Sequence, residues 1–298
     1  MLATMAEAEP TSTPRPAGEA GPSLLKSFVG LFLVPLAVVL LCVAVFVGFG
    51  WIAYEKQTTR DYLNDLNSWW APRRAQAAYE LSKILLADPD ALESEPGAEA
   101  EVRRLFTATE DLAMKRYLAL ILAYTRDPEA VPLLLGGLEE TDSETRIYTL
   151  WALGTIGDPR AREGLAAALT DPDAGIRKTA AFALGEMGDA GAAPALEPLL
   201  NDPVADVRWN AALALARLGS DAGVAVLEQM LDRRLTSQVP DITPQQQEEA
   251  MVSAVRALAR LRGSAARPLL ERLAEEDPNL KVRQSALDAL EAIGSGRE

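Results

Sequence analysis

The sequence predicts an all-α protein, a right-handed α-solenoid of about six helical hairpins preceded by one apolar helix. Similar segments recur at a constant spacing, their apolar residues follow helical spacing, and a long run near the N-terminus carries no charge. Hydrophobic residues make up 49% of the chain but aromatic residues only 6%. A core built largely from Ala and Leu suits closely packed helices better than sheets.

The repeat is clearest in three segments that align without gaps, beginning at Thr145, Ile176 and Val207. Weaker copies begin at Ala75 and Val282. Basic residues and leucines recur with one period: Lys115, Arg146, Arg177 and Arg208; Leu122, Leu153, Leu184 and Leu215. A period of about 31 residues is typical of stacked helical hairpins, because one hairpin cannot bury its apolar face alone.

Each copy is bounded by helix-capping signals. Acidic residues such as Asp142 and Asp173 precede a copy, where their oxygens can accept hydrogen bonds from unpaired N–H groups. Gly157, Gly188 and Gly219 end the copies, as glycine C-caps do. Shorter apolar helices are predicted between the copies, at residues 130–138, 161–169, 192–200, 224–231 and 266–273.

The pattern D-x-x-[IV]-R-x-x-A-x-x-A-L-G-x-[IM]-G-D resembles the bacterial HEAT-like repeat of the type first described in phycobilisome chromophore lyases. The resemblance covers residues 111–294 and is best over 143–220. It implies a curved, right-handed solenoid whose second helices line the concave side. It does not imply one activity, since members of the family range from adaptors to lyases and iron hydroxylases.

The uncharged run from Phe28 to Tyr54 predicts a transmembrane anchor, because about 20 apolar residues suffice to span a bilayer. Pro35 is tolerated in spanning helices, and Trp51 and Tyr54 would lie at headgroup depth. A cleaved signal peptide would have a shorter apolar region. We therefore expect a single-pass protein of the inner (cytoplasmic) membrane, and the flanking charges lean towards a cytoplasmic repeat domain.

Four regions follow from these patterns. They are a disordered tail (1–26), a transmembrane helix (27–54), a juxtamembrane linker (55–71) and the repeat solenoid (72–298).

An insertion interrupts the solenoid between Arg233 and Gln247, because the equivalent positions Ala214 and Ala257 lie more than one period apart. Insertions in solenoids form loops on one face and often bind a partner. Alternatively, this insertion is a surface loop with no binding role, because lengthening a loop costs little free energy. Val239 and Ile242 are its candidate contact residues.

Several kinds of chemistry are excluded by composition. The chain has no histidine and one cysteine, Cys42, within the apolar run, which excludes a Cys/His metal site and the histidine ligands of iron hydroxylases. A net charge of −14 disfavours nucleic-acid binding. We predict no cofactor, no metal and no enzymatic activity.

Two periodic features supply candidate binding residues. Arg146 and Arg177 belong to a ladder of arginines, for which bonding to Asp side chains or carbonyls of neighbouring repeats is the favoured role. We expect their partners to be the nearby Asp142, Asp173 and Asp206.

The second feature is a column of aromatic residues. Trp151 and Phe182 occupy the same repeat position, Tyr148 lies in a neighbouring column, and Trp209 lies nearly opposite the apolar stripe of its helix. Exposed on the concave face, these side chains would anchor a partner. Alternatively, they pack between adjacent second helices.

The predicted function is a membrane-anchored scaffold or adaptor that binds membrane-associated protein partners and contacts lipid through its anchor. The first alternative is an accessory subunit of a larger membrane complex, such as a respiratory or transport complex. The second is an enzyme resembling the chromophore lyases.

Overall fold

The computed structural model describes residues 32–53, 57–240 and 242–295. Within these ranges the chain forms helices and no β-strands. It divides into two compact units, Met1–Lys56 and Gln57–Glu298.

The first unit contains one described α-helix, α1, Val34–Ala53. Pro35 lies in its first turn and Trp51 in its last, while Phe28 and Tyr54 lie outside the described residues. Among the residues that the structure describes, no helix meets the length and hydropathy of a membrane span. The predicted single-pass location in the inner membrane rested on the length of the uncharged run, and this finding contradicts it. The predicted lipid contact has no support.

The second unit contains fifteen α-helices in its described residues. They are α2 Thr59–Asp65, α3 Ala71–Ala87, α4 Ala98–Ala108, α5 Leu112–Tyr124, α6 Val131–Gly137, α7 Ser143–Ile156, α8 Arg162–Ala167, α9 Ala174–Met187, α10 Ala193–Leu196, α11 Ala205–Arg217, α12 Val224–Met230, α13 Arg233–Thr236, α14 Pro244–Arg262, α15 Arg267–Glu276 and α16 Leu280–Ser295.

In the described part of the second unit, fourteen of these helices form seven pairs, each with a first and a second helix, and the short α13 lies between the two helices of the sixth pair. The second helices are α3, α5, α7, α9, α11, α14 and α16, and each packs on the next, as in an α-solenoid. The weak copy that begins at Ala75 forms α3, and α2 packs against it as the first helix of the same hairpin. The sequence assigned α2 to a juxtamembrane linker (55–71), but Leu66, the residue that follows this helix, is fully buried.

Local capping sets where the second helices begin and end. Asp142 Oδ2 accepts a hydrogen bond from the N–H of Thr145 at 2.8 Å, and Asp173 Oδ1 accepts one from the N–H of Gly175 at 2.7 Å. Gly157 and Gly188 end α7 and α9 with φ of +73°, a backbone conformation that favours glycine. The predicted caps are confirmed at these positions.

The three most regular second helices approach one another through small residues. A Cβ added to Gly154 of α7 would lie 2.6 Å from the Cα of Ala183 in α9. A Cβ added to Gly185 of α9 would lie 2.8 Å from the Cα of Ala214 in α11. Such distances lie inside van der Waals contact, so both glycines permit the close approach of two backbones.

Buried apolar residues form two clusters that meet at α11. Val207 and Leu215 of this helix belong to the cluster of the N-terminal repeats. Trp209 and Ala212, on its other side, belong to the cluster of the C-terminal repeats. Since α11 contributes to both, it joins the regular repeats to those that contain the insertion.

We predict that Gly154→Ala lowers the free energy of unfolding by about 1–3 kcal/mol, because the added methyl group forces the backbones of α7 and α9 apart. Urea unfolding followed by circular dichroism measures the change. Gly136→Ala is the matched control, since nothing lies within 4 Å of a Cβ at that helical position. This control should stabilise the protein by about 0.5–1 kcal/mol. Equal effects of the two substitutions would contradict the close stacking.

Candidate protein-binding surface

An aromatic groove of about 430 Å³ opens on the surface formed by the second helices, which we call the second-helix face. Its aromatic lining consists of Tyr124, Tyr148, Trp151 and Phe182. Leu120, Ile147, Lys178, Thr179 and Asn210 complete it. All of these residues belong to α5, α7, α9 and α11, so four successive repeats contribute to one depression.

The constant repeat period explains why the aromatic rings meet. Residues at the same repeat position lie side by side on stacked second helices, which places Phe182 next to Trp151. The rings of Tyr124 and Trp151 contact edge to face, with centroids 5.5 Å apart and planes at 74°. Trp151 and Phe182 are half-buried. They therefore pack against neighbouring helices and also line the groove.

Aromatic contacts continue beyond the groove on both sides. Tyr79 and Tyr117 contact edge to face at 5.2 Å, and Lys83 Nζ lies 5.0 Å from the Tyr79 ring centroid. On the other side, the Arg217 guanidinium lies 5.2 Å from the ring centroid of Phe182. Such cation–aromatic contacts hold the rings in place.

Trp209 does not line the aromatic groove. Its side chain is 8% exposed and belongs to the C-terminal core cluster. Val239 and Ile242 of the insertion pack against the same cluster. The position of Trp209 opposite the apolar stripe of its helix predicted a side chain exposed to solvent or to a groove. The insertion between α12 and α14 lies on this side of α11 and covers it. Trp209 therefore does not belong to the candidate surface.

The insertion is anchored to the fold rather than extended as a free loop. It contains α13 and the first turn of α14. The Gln247 amide donates to Oγ1 of Thr236, which is 2% exposed. Val239 and Ile242 are half-buried and line a groove of about 570 Å³ with residues at the start of α11, including Val204. Both predicted residues thus combine packing with partial exposure.

Arg177 links two successive repeats. Its Nε and Nη2 donate to the two carboxylate oxygens of Asp202 at 2.8 and 3.0 Å, while Nη1 donates to the carbonyl of Asp171 at 2.8 Å. Arg146 behaves similarly, bonding the carbonyl of Leu138 and the carboxylate of Asp171. Each arginine bonds its own repeat and an acid of the next, so the ladder ties each hairpin to the following one.

The acids predicted to pair with these arginines have other partners. Asp142 caps α7 and pairs with Arg116, Asp173 caps α9, and Asp206 pairs with Lys178. The predicted pairings are wrong. The acids that bond Arg146 and Arg177 are Asp171 and Asp202, which follow the first helix of the next repeat, because the stacking of the repeats places them closer than the acids nearest in sequence. Since the fold uses the hydrogen bonds of Arg146 and Arg177, their role is structural.

The ladder changes at the insertion. Asp171 and Asp202 are one period apart, and the next position in the series is Arg233 rather than an acid. Arg233 donates from Nε and Nη2 to Asp277 at 2.9 and 2.6 Å. Asp277 is 6% exposed. An arginine at a former acid position thus bonds the acid of the following repeat and carries the connection across the longer repeat.

The repeat fold agrees with the comparison to known families. The family model of HEAT repeats matches residues 102–181 and 162–239. This part of the chain consists of HEAT repeats. A comparison with curated proteins found no match.

Solved structures of several kinds are similar to this chain. The complex of CpcE and CpcF of phycocyanin lyase from Nostoc sp. PCC7120 is 22% identical, with a TM-score of 0.57 over 79% of this chain and 87% of that chain. An engineered protein is 23% identical, with a TM-score of 0.45 over 80% and 97%. Human deoxyhypusine hydroxylase is 22% identical, with a TM-score of 0.33 over 80% and 96%. At this identity the likeness to the phycocyanin lyase complex concerns the fold alone.

Carboxylates of the HEAT repeats are held in their charged form. The Arg177 guanidinium lowers the pKa of Asp202, and the hydroxyl and N–H of Thr145 lower the pKa of Asp142. The N–H of Gly175 lowers the pKa of Asp173. Within the described residues, no group of three or more acidic or cysteine side chains is arranged to hold a metal ion.

We predict that Arg177 and Asp202 are coupled by about 1–3 kcal/mol in a double-mutant cycle. The pair is bidentate, and its side chains are 13% and 8% exposed. The cycle combines Arg177→Gln and Asp202→Asn, with free energies of unfolding taken from urea titrations. Lys178 and Asp206 join the same two repeats at 3.4 Å but are 42% and 51% exposed. This control pair should be coupled by about 0–1 kcal/mol. Comparable couplings would contradict a special role for the ladder.

We also predict that the free energy of unfolding falls as the pH drops from about 4 to about 2. The pKa values of Asp142, Asp173 and Asp202 lie below the ordinary 3.8 in the folded protein. The stability that these carboxylates add to the folded protein is fully present above their pKa in the unfolded chain. It is lost as the pH falls through their lower pKa in the folded protein. Urea unfolding across this range measures the slope, which should be shallower in Asp202→Asn. An unchanged slope in that variant would refute the assignment.

Proposed function

We propose that this chain is a protein-interaction scaffold that binds a partner in the aromatic groove of its second-helix face. The observation that carries the proposal is the convergence of Tyr124, Tyr148, Trp151 and Phe182 in one depression. HEAT repeats are stacked units whose extended surfaces commonly bind other proteins.

The groove offers what a protein anchor residue needs. Half-buried aromatic rings provide apolar area with little side-chain entropy to lose on binding, and aromatic residues dominate binding energy at protein interfaces. Lys178, Thr179 and Asn210 provide polar groups around the rings. We therefore propose that a partner inserts an apolar side chain between the rings and bonds its backbone to this polar edge.

Rigid support favours the same function. Arg146 and Arg177 tie the hairpins that carry Trp151 and Phe182 to each other and to the next hairpin. A surface held in this way loses little conformational freedom when a partner binds, which leaves more of the contact energy for affinity.

The alternatives have weaker support. A role as an accessory subunit of a membrane complex depended on the predicted anchor and is not proposed. The likeness to phycocyanin lyase concerns the fold alone at 22% identity. The absence of enzymatic activity stays a prediction, which a bilin-transfer assay on the full chain can test.

We predict that Trp151→Ala weakens partner binding at least tenfold, as expected for the loss of an aromatic anchor of about 2 kcal/mol. A photo-crosslinking residue at position 182 of the full chain, introduced in cells that make the protein, first identifies the partner by mass spectrometry. The purified partner is then titrated against wild type and variant by calorimetry.

The control for this experiment is Leu86→Ala. Leu86 is 65% exposed and lies in α3 outside the groove, so its truncation should leave the affinity within about twofold. Circular dichroism checks that both variants are folded. Wild-type affinity in a folded Trp151→Ala protein would overturn the proposed function.

A further inference from the structure

A second groove lies between α14 and α16, in the C-terminal repeats. It measures about 380 Å³ and continues into a neighbouring space of about 590 Å³. Ser285 lines both spaces, as do Arg256 and Asp288. Ser285 is 5% exposed, and among the described residues its Oγ is the buried side-chain atom without a hydrogen-bond partner.

Three polar side chains at the same repeat position are satisfied within their own helices. Thr179, Asn210 and Ser253 each donate to the carbonyl of the residue four positions earlier, at 2.8 Å in every case. The hydroxyl of Ser285 makes no such bond. A buried hydroxyl left unpaired is costly, so the groove contains a donor that a ligand can satisfy.

Two arginines on α14 stand beside this hydroxyl. Arg256 and Arg260 are one helical turn apart, exposed, and line the groove. Neither has an ion pair or hydrogen bond within the described ranges, whereas the ladder arginines Arg146 and Arg177 are fully engaged. A pair of free guanidinium groups next to an unpaired hydroxyl forms a set of donors for an oxyanion.

The rest of the lining defines the charge and shape of the occupant. Glu248, Glu249 and Lys281 line the neighbouring 590 Å³ space. In the 380 Å³ space Asp288, which accepts a hydrogen bond from Gln284 Nε2 at 2.7 Å, supplies one negative charge, so two arginines and one aspartate leave a net charge of +1 there. That charge matches a singly charged carboxylate better than a phosphate dianion. Ala289 and Ile293 form an apolar wall beside it.

We propose that this groove binds a peptide segment of a partner protein in which an acidic side chain adjoins an apolar one. The carboxylate accepts hydrogen bonds from Ser285 Oγ and from the guanidinium groups of Arg256 and Arg260. The apolar neighbour packs against Ile293. This site goes beyond the proposed function, because its residues lie in other repeats than those of the aromatic groove. Binding at this site does not require a partner in the aromatic groove.

The spacing of the repeats explains how one face comes to carry two different sites. Trp151, Phe182, Leu213, Arg256 and Asp288 share one repeat position once the insertion is taken into account. The position that supplies aromatic rings in the regular repeats therefore supplies charges after the insertion. The second-helix face changes along its length from apolar to charged.

The test uses acetyl-Leu-Glu-Leu-amide and its neutral analogue acetyl-Leu-Gln-Leu-amide, titrated into the full chain and followed by NMR of the arginine Nε–H groups. We expect the Glu peptide to bind about tenfold tighter than the Gln peptide and to shift the signals of Arg256 and Arg260. Ser285→Ala and Arg256→Gln should each weaken the Glu peptide by a similar factor. Equal affinity for the two peptides would overturn the proposal, and so would tighter binding of a phosphoserine analogue.

Ser253→Ala is the matched control, since Ser253 occupies the same repeat position but already bonds its own helix. It should leave peptide binding unchanged. Ser285→Ala should keep or raise the Tm while it weakens binding, because it removes an unpaired buried group. A fall in Tm with the loss of binding would assign Ser285 a structural role and refute the proposal. Trp151→Ala should bind the peptide normally, which separates this site from the aromatic groove.

Discussion

The close approach of successive second helices is the contact on which the other features of the repeat domain depend. Where Gly154 faces Ala183 and Gly185 faces Ala214, the backbones come close, and the largest side chain at the contact is an alanine methyl group. This contact recurs with the period of the sequence, so residues at one repeat position line up across helices. The aromatic groove follows from this alignment, because rings that are a full repeat apart in sequence become neighbours in space.

Charged contacts then connect the stacked hairpins. Arg146 and Arg177 each bond a carbonyl of their own repeat and a carboxylate of the next, which fixes one hairpin relative to the following one. At the insertion the series changes, because Arg233 occupies the position of the acid and bonds Asp277 of the following repeat. The helix α11 lies at this change and contributes to both core clusters. The regular and irregular repeats are thus joined through one helix with two buried sides.

The change in the repeat also separates two kinds of surface. In the regular repeats the second-helix face presents Trp151 and Phe182, which suit an apolar anchor. After the insertion it presents Arg256 and the unpaired hydroxyl of Ser285, which suit an oxyanion. Because second helices stack on one another both before and after the insertion, the difference between the two surfaces lies in the side chains at equivalent positions. A repeat protein can in this way carry separate sites on one continuous face.

The sequence by itself determined the all-α repeat architecture, its period and its helix ends, since spacing and the capping by Asp142, Asp173, Gly157 and Gly188 are local properties. It also placed Trp151 and Phe182 in one column. It misjudged the apolar run at the N-terminus, where length alone predicted an anchor. Only the tertiary structure decided that Trp209 is buried, that Arg177 bonds Asp202, and that Ser285 is unpaired while Ser253 is not. These outcomes depend on which helix packs over each residue, and that is set by contacts between residues far apart in the chain.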